Sequence, residues 1–376
     1  MATFVKRTEI PLEGARALPR AYFTSPAIFA EEIEKLFSRN WLCAGRESRI
    51  AKAGDYFVVA AGEASVIVVR DRDGAVRAFH NVCRHRGTRL CETREGRFSE
   101  TIQCPYHSWT YGLDGCLQGA PSTNDLAGFD KSEWPLLAVA TEIWHGFVFV
   151  NLAGDPQPVA MKLLPLNERM ATYNLRSLVS VHHQIYDVAA NWKLIVENYS
   201  ECYHCAPVHP ELVRLSPPTS GANDLSEGPV LGGYMELNAG NESLTLTGRA
   251  CGVPVGELPA EEHRRVYYYS IFPNLLISLH PDYVMFHTLW PEAPGRTRIT
   301  CDWLFHPDTL ARAELDPAQG IDFWERTNRQ DWHICEQSQL GISSPFYRPG
   351  PYSHREALSM QFDREVLRQL GHPRHY

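Results

Sequence analysis

Hydrophobic and polar positions change rhythm twice along the 376 residues of this chain. Up to about residue 40, Ile28, Phe29, Ile33, Leu36 and Phe37 recur at three- and four-residue spacings, the apolar face of a helix. Ser25 is its candidate N-cap and Pro26 its opening residue. From residue 41 the apolar positions alternate or gather into short runs, at 56–61, 65–69 and 76–79, with Asp71-Arg72-Asp73-Gly74 as a hairpin turn. Further strands are predicted at 101–103, 109–113 and 143–152, with Asp114-Gly115 as another turn. Past Pro156 the pattern loosens, and Gln157-Pro158 reads as a linker. Helices are predicted at 161–173 and 191–204, on either side of a strand at 179–189. Residues 215–260, rich in Gly, Pro, Ser and Asn, give no ordered pattern. Strands resume at 266–271, 275–280, 283–290 and 297–306, and helices at 321–340 and 356–370 end the chain. The whole predicts an α+β protein: an arm and helix at 1–40, a small all-β domain at 41–155, and a domain at 156–376 in which helices bracket an antiparallel sheet.

Composition narrows the class. A hydrophobic content of 44% with 11% aromatic and 21% charged residues describes a well-buried globular protein, long enough for two cores. The formal net charge of −8 argues against nucleic acid as a partner. No run of eighteen apolar residues is present to span a membrane, and residues 1–14 lack the apolar core of a signal peptide. Of the ten cysteines, Cys43, Cys91, Cys116, Cys202, Cys205, Cys251, Cys301 and Cys335 are scattered and read as free, buried thiols, which suits a reducing cytoplasm.

The other two cysteines belong to the strongest motif in the sequence. Cys83-Arg84-His85 and Cys104-Pro105-Tyr106-His107 are short pairs with eighteen residues between them. Two thiolates and two imidazoles suit either a structural zinc ion or a mixed-ligand iron–sulfur cluster. Cys2His2 zinc sites usually take both Cys from one segment and both His from another. Here each segment offers one of each, the order a Rieske [2Fe–2S] centre needs. Gly87 and Pro105 suit tight loops around such a group.

A second concentration of ligand-type residues runs from Asn191-Trp192-Lys193 through Glu201, His204 and His209. Five residues apart on one helix, the two histidines would lie ~140° apart around its axis. Pro207 is expected to end the helix between them and let His209 swing back beside His204. Glu201, one turn before His204, is expected on the same helical face. Two imidazoles suit Fe(II), zinc, copper and nickel alike. A carboxylate from Glu201, or from elsewhere in the chain, would complete the 2-His-1-carboxylate set of non-haem iron oxygenases.

Along nearly its whole length the sequence resembles the oxygenase (alpha) subunits of Rieske non-haem iron oxygenases. The resemblance rests on Phe79-His80-Asn81-Val82-Cys83-Arg84-His85-Arg86-Gly87, on Cys104-Pro105-Tyr106-His107-Ser108-Trp109, and on the segment from Asn191 to His209. It implies a Rieske [2Fe–2S] domain held by Cys83, His85, Cys104 and His107, and a helix-grip-like catalytic domain holding mononuclear Fe(II). His204 and His209 are the implied iron ligands. Asp331, in Asn328-Arg329-Gln330-Asp331-Trp332, is the expected third, with Glu325, Glu336 and Asp363 as rivals. Glu201 stands where many members have an Asp that links one subunit's cluster to its neighbour's iron; with Asn198 it is the expected catalytic residue. The resemblance further implies O2 as co-substrate, a separate NAD(P)H-dependent reductase of flavin or ferredoxin type, and a homotrimer. Glu201-Cys202-Tyr203-His204-Cys205, with Tyr347-Arg348-Pro349-Gly350-Pro351-Tyr352-Ser353, is similar to oxygenases of quaternary ammonium compounds such as glycine betaine, carnitine and proline betaine. Aromatic faces are expected to hold such a cation, and Tyr199, Tyr203, Tyr267, Tyr268, Tyr269, Phe286, Trp290 and Phe346 are the candidates. A ring-hydroxylating dioxygenase of an aromatic acid would use the same metals but form a cis-diol. A Rieske electron carrier would hold two irons per chain rather than three.

Overall fold

The computed structural model describes residues 14–373, so the first thirteen residues of the expected arm lie outside the described residues. Among the described residues two compact units emerge, one of residues 37–159 and the other of residues 14–36 with 160–373.

The 37–159 unit is built from ten short strands. They are β1 (Leu42–Arg46), β2 (Asp55–Ala61), β3 (Ala64–Arg70), β4 (Val76–His80), β5 (Glu95–Arg97), β6 (Thr101–Gln103), β7 (Thr110–Gly112), β8 (Leu117–Gly119), β9 (Ala138–Trp144) and β10 (Phe147–Asn151). Seven form an antiparallel sheet in the order β1-β10-β9-β4-β3-β2-β5, and β6-β7-β8 form a second, smaller one. The predicted turn at Asp71 is made by its own carboxylate, which accepts the backbone N–H of Asp73 at 2.9 Å and of Ala75 at 2.8 Å. The single strand expected at 143–152 is instead the β9–β10 hairpin. His145 and Gly146 both take positive φ, as a two-residue turn between twisted strands requires, and apolar residues on both sides hid it.

The second unit carries a seven-stranded antiparallel sheet in the order β11-β17-β16-β15-β14-β13-β12. Its strands are β11 (Val179–Val188), β12 (Ala222–Leu225), β13 (Val230–Glu236), β14 (Arg265–Ile271), β15 (Leu275–Leu279), β16 (Val284–Ala293) and β17 (Arg296–Phe305). The helices that matter for the site are α1 (Pro26–Glu32), α2 (Trp192–Tyr199), α3 (Cys205–Val208), α4 (Pro210–Leu215), α5 (Ala318–Ser343) and α6 (Ala357–Leu370). Ser25 caps α1 by accepting the Ile28 N–H, and Asn191 caps α2 by accepting the Lys193 N–H. Residues Trp192–Val196 of α2 are all buried, because the helix packs against α5, α6 and the sheet.

Three expectations change here. The helix at 161–173 is broken into short pieces at Pro165, which cannot donate a backbone bond. The region at 215–260 contains β12 and β13. In β13, a Cβ on Gly233 would lie 2.1 Å from the Ala222 carbonyl, so the strand fits only as bare backbone. The helix expected at 191–204 stops at Tyr199, and Pro207 sits inside the separate turn α3. The Glu201 carboxylate explains the early stop, since it accepts the backbone N–H groups of Tyr203 and His204 that a continuing helix would have used.

Candidate metal centres

The two cysteine–histidine pairs sit on a matched pair of loops, one after β4 and the other between β6 and β7. In each, the Cys carbonyl accepts the N–H four residues on, from Gly87 at 3.0 Å and from Ser108 at 3.1 Å. In each, the Cys N–H is bound to the carbonyl five residues on, Thr88 or Trp109, at 2.8 Å. Gly87 and Ser108 both take positive φ, which lets the loops reverse so tightly. Cys83 and Cys104 are buried within the core of this unit, while His85 is exposed and His107 partly so. The imidazole centroids are 4.8 Å apart at 71°, and His85 stacks on Trp109. The four donors thus divide into an inner sulfur pair and an outer imidazole pair. That suits two irons with different ligands; a single tetrahedral zinc ion would draw all four to one point.

Tyr111 adds a hydroxyl 3.4 Å from the Cys83 sulfur and also accepts the Arg84 N–H at 3.1 Å. With its acceptor role filled by that amide, its own proton is free to point at sulfur. A donor there favours the reduced, more negative cluster. Tyr111→Phe should therefore lower the cluster's midpoint potential, by about 40 mV if the bond is worth about 1 kcal/mol. Protein-film voltammetry would measure it, and an unchanged potential would remove the hydroxyl from the account.

In the other unit α2, α3 and α5 bring together His204, His209 and Asp331. Donor atoms of these three lie within 4.8 Å of one another, the one such group of three or more His, Cys or acidic donors among the described residues. His204 Nε2 is 3.2 Å and His209 Nε2 2.8 Å from Asp331 Oδ1. The opposite ring nitrogens are occupied. His204 Nδ1 lies 2.6 Å from Glu201 Oε1, and His209 Nδ1 lies 2.8 Å from Gln330 Oε1. Those acceptors fix both rings as Nδ1–H tautomers, leaving both Nε2 lone pairs aimed at the same point. Asn198 Nδ2 stands 3.4 Å from His204 Nε2. Burial lowers the His204 imidazole, yet the carboxylates of Asp331 and Glu201 outweigh it and raise it to about 10. Burial would likewise raise the Asp331 carboxyl, but the bonds from His204 and His209 hold it below its ordinary value. The point therefore attracts positive charge, and two imidazoles with one carboxylate match an iron site with open positions.

The rivals for the third carboxylate are engaged elsewhere. Glu325 binds Tyr186 and Arg329, Glu336 accepts the Ala189 N–H, and Asp363 accepts the Tyr352 hydroxyl at 2.6 Å. Glu201 lies in a non-helical turn rather than on the expected helical face, and it reaches His204 from there. Gln330 escaped the sequence reading because a lone Gln beside an acid has no motif.

A cavity opens at this point, lined among others by Tyr199, Tyr268, Trp324, Thr327 and Asp331. Glu201 and Asp331 are its acidic residues, and no Lys or Arg is among its described walls. Of the expected aromatics, Tyr199 and Tyr268 line it; the others do not. Tyr267 and Tyr269 bind Glu262 and Asp224, Phe286 and Trp290 are buried in β16, and Tyr203 and Phe346 are exposed. Trp324 was missed, although its spacing i, i+3, i+7 with Thr327 and Asp331 puts all three on one face of α5. Tyr199, Tyr268 and Trp324 form a continuous edge-to-face series, with centroids 6.2 and 6.3 Å apart. The Tyr268 hydroxyl is buried with no hydrogen-bond partner.

The Cys202 and Cys205 sulfurs are bonded to each other, with Cα atoms 5.0 Å apart. This corrects the reading of both as free thiols. The turn that brings Glu201 under His204 also brings the two cysteines face to face, at a separation a disulfide spans.

Fold and sites together define a Rieske-type, iron-dependent oxygenase, and comparison with known proteins agrees. Residues 175–372 match the model of the ring hydroxylating alpha subunit (catalytic domain), and residues 40–130 that of the Rieske [2Fe–2S] domain. The chain is 32% identical over 375 residues to the glycine betaine monooxygenase oxygenase subunit of Pseudomonas aeruginosa, covering 90% of this chain and 85% of that one. It is 37% identical over 200 residues, 53% of each chain, to the carnitine monooxygenase oxygenase subunit of Escherichia coli. A solved quaternary ammonium Rieske monooxygenase, described for carnitine oxidation by gut microbiota, superimposes with a TM-score of 0.82 at 25% identity over 95% of each chain. The chain belongs to the Rieske non-haem iron oxygenases as an alpha subunit, and its cofactors are a Rieske [2Fe–2S] cluster and mononuclear iron. No helix among the described residues is long and apolar enough to cross a membrane.

Proposed function

We propose that this oxygenase hydroxylates an N-methyl group of a small quaternary ammonium compound of the betaine type, which then loses that carbon as formaldehyde. One observation carries the reading: the cavity beside His204, His209 and Asp331 has three aromatic rings, two carboxylates and, apart from the two candidate ligand histidines, no Lys or Arg on its described walls. Such a wall attracts a cation through ring faces and field, and leaves an anionic aromatic acid without a counter-ion. Tyr268 offers a substrate carboxylate a buried hydroxyl that has no partner of its own.

In this reading Cys83, His85, Cys104 and His107 hold the cluster, and His204, His209 and Asp331 hold Fe(II). The bound metals supply one-electron transfer and the reduction of dioxygen. The protein positions and excludes. Tyr199, Tyr268 and Trp324 turn the N-methyl group toward the open side of the triad, while Glu201 and Gln330 keep both imidazoles in the ligating tautomer. The balance is an N-methyl group, O2, two electrons and two protons giving N–CH2OH and water. The carbinolamine then yields formaldehyde, a tertiary amine and a proton. The electrons come from NAD(P)H through a separate reductase, in the cytoplasm. The working assembly is a homotrimer in which Glu201 connects the iron site to a neighbouring subunit's cluster.

The test supplies a surrogate reductase and screens betaines, carnitine, choline and aromatic acids for NADH and O2 consumption and for formaldehyde. Formaldehyde in proportion to O2 from a betaine is expected; a cis-diol from an aromatic acid would replace the reading. Glu201→Gln keeps an acceptor near His204 but removes the charge. All three irons should remain per chain while turnover falls about 10- to 100-fold. Full activity in that variant would remove the bridging role.

A further inference from the structure

The residues on either side of His204 carry a pair of sulfurs, those of Cys202 and Cys205, for which the reaction above has no use. Cys202 is partly exposed, Cys205 is buried, and both line the cavity that holds the His204, His209 and Asp331 donors. The remaining thiols are placed differently. Cys83 and Cys104 belong to the cluster loops. Cys43, Cys91, Cys251, Cys301 and Cys335 are each at most 5% exposed, and burial raises the Cys91 thiol to about 12 and those of Cys251, Cys301 and Cys335 well above the ordinary value. Cys116 is exposed, but the Asp114 carboxylate beside it raises its thiol. Among the described residues, then, Cys202 and Cys205 are the cysteines that line the cavity holding all three donors, while Cys335 lies behind His204 with its sulfur buried. Their Cys-x-x-Cys spacing is one that favours reversible exchange.

We propose that Cys202 and Cys205 form a reversible thiol–disulfide couple that takes up peroxide at the iron site and, when bonded, braces the loop that presents His204. The uptake rests on the oxygen-activating reading of the site, since that reading supplies peroxide whenever oxygen is reduced without hydroxylation. The Cys202 thiolate attacks the O–O bond, gives a sulfenic acid and releases hydroxide. The Cys205 thiolate displaces the sulfenic oxygen and closes the S–S bond. Two thiols are oxidised, and one hydrogen peroxide becomes two waters. A cellular dithiol reverses the bond by exchange. The bracing follows from position. The bond crosses Tyr203 and His204, the two residues whose N–H groups the Glu201 carboxylate already holds, so Glu201, the disulfide and the His204 ring form one short closed turn. With the bond open, Glu201 alone holds it.

The test uses the full-length holoprotein, reduced with dithiothreitol and freed of it, and needs no turnover, so a failed substrate screen does not affect it. Limiting hydrogen peroxide is added, free thiols are alkylated, and peptides are mapped by mass. The peptide carrying Cys202 and Cys205 should escape alkylation and weigh two hydrogens less than its reduced form, before Cys116 reacts, and dithiothreitol should restore both thiols. Extraction of the mononuclear iron by a ferrous chelator should be several-fold slower from the bonded than from the reduced protein. Cys202→Ser should lose iron at the faster rate under both conditions. The proposal is overturned if both thiols remain alkylatable once Cys116 is oxidised, or if bonded and reduced protein release iron at the same rate.

Discussion

Asp331→Ala should leave the protein with two irons per chain in place of three and with turnover reduced by more than about a hundredfold. Three measurements separate the causes. Iron analysis counts the loss, the Rieske absorption bands show that the cluster remains, and substrate-dependent O2 uptake reports the chemistry. The expectation follows from the donor geometry. Both Nε2 atoms converge on Asp331 Oδ1, at 3.2 and 2.8 Å, so this oxygen marks the point where the three donors meet. Two neutral imidazoles that remain after its loss would bind many divalent metals weakly and none selectively. Glu201 does not replace it, because its carboxylate faces His204 Nδ1 on the far side of the ring. Asp331→Glu keeps the charge and moves it by one methylene, and should recover part of the iron but little of the turnover. A variant that kept three irons and full activity without Asp331 would place the third ligand elsewhere.

The cluster half of the site was readable from the sequence because its information is local. Cys83 and His85, and Cys104 and His107, each sit on one tight loop, and the alternating order alone separates a cluster from a zinc ion. The iron half was readable only in part. His204 and His209 declared themselves by type and spacing, but the reason they converge did not. Pro207 seemed the natural break; the actual break is at Tyr199, made by a carboxylate that competes with the helix for its own N–H groups. Asp331 lies 122 residues from His209 in sequence, and only the resemblance pointed to it. The substrate wall was the least readable part. It combines a Tyr from α2, a Tyr from β14 and a Trp from α5, and β13 opposes them with Gly232 and Gly233, whose bare backbone leaves no side-chain pattern to detect. The aromatics gathered in β14 were equal candidates in sequence. In the fold, strand alternation sends Tyr268 into the cavity, while its neighbours Tyr267 and Tyr269 turn to Glu262 and Asp224.

The segment that carries the site is itself held by a buried ion pair, and breaking that support should give a large loss of stability from a single substitution. Glu32→Ala is expected to destabilise the protein by about 3 kcal/mol. Glu32 on α1 and Lys193 on α2 are both fully buried, with Lys193 Nζ 2.5 Å from Glu32 Oε1, and the other carboxylate oxygen accepts the Trp192 indole N–H at 2.9 Å. The ammonium also lies 5.5 Å from the Phe23 ring centre and 5.3 Å from that of Trp192. A pair removed from water this completely is worth little against an apolar pair of the same size, because desolvation offsets the attraction. Removing one partner leaves a buried charge uncompensated, which costs roughly 3–5 kcal/mol. The lower end applies here, since Glu197 and Asp363, whose carboxyls burial raises, lie within the field of Lys193 and can ionise to offset part of its charge. That is still a large part of the 5–15 kcal/mol that about spans the stability of folded domains. The loss should also reach function, because Lys193 lies in the first turn of the helix that leads to Asn198, Glu201 and His204. Urea unfolding of the wild type, Glu32→Ala and the double variant Glu32→Leu/Lys193→Met decides the matter. The single change should lower the midpoint strongly, and the apolar pair should recover most of it. Equal losses in both would assign the effect to packing of α1 rather than to the stranded charge of Lys193.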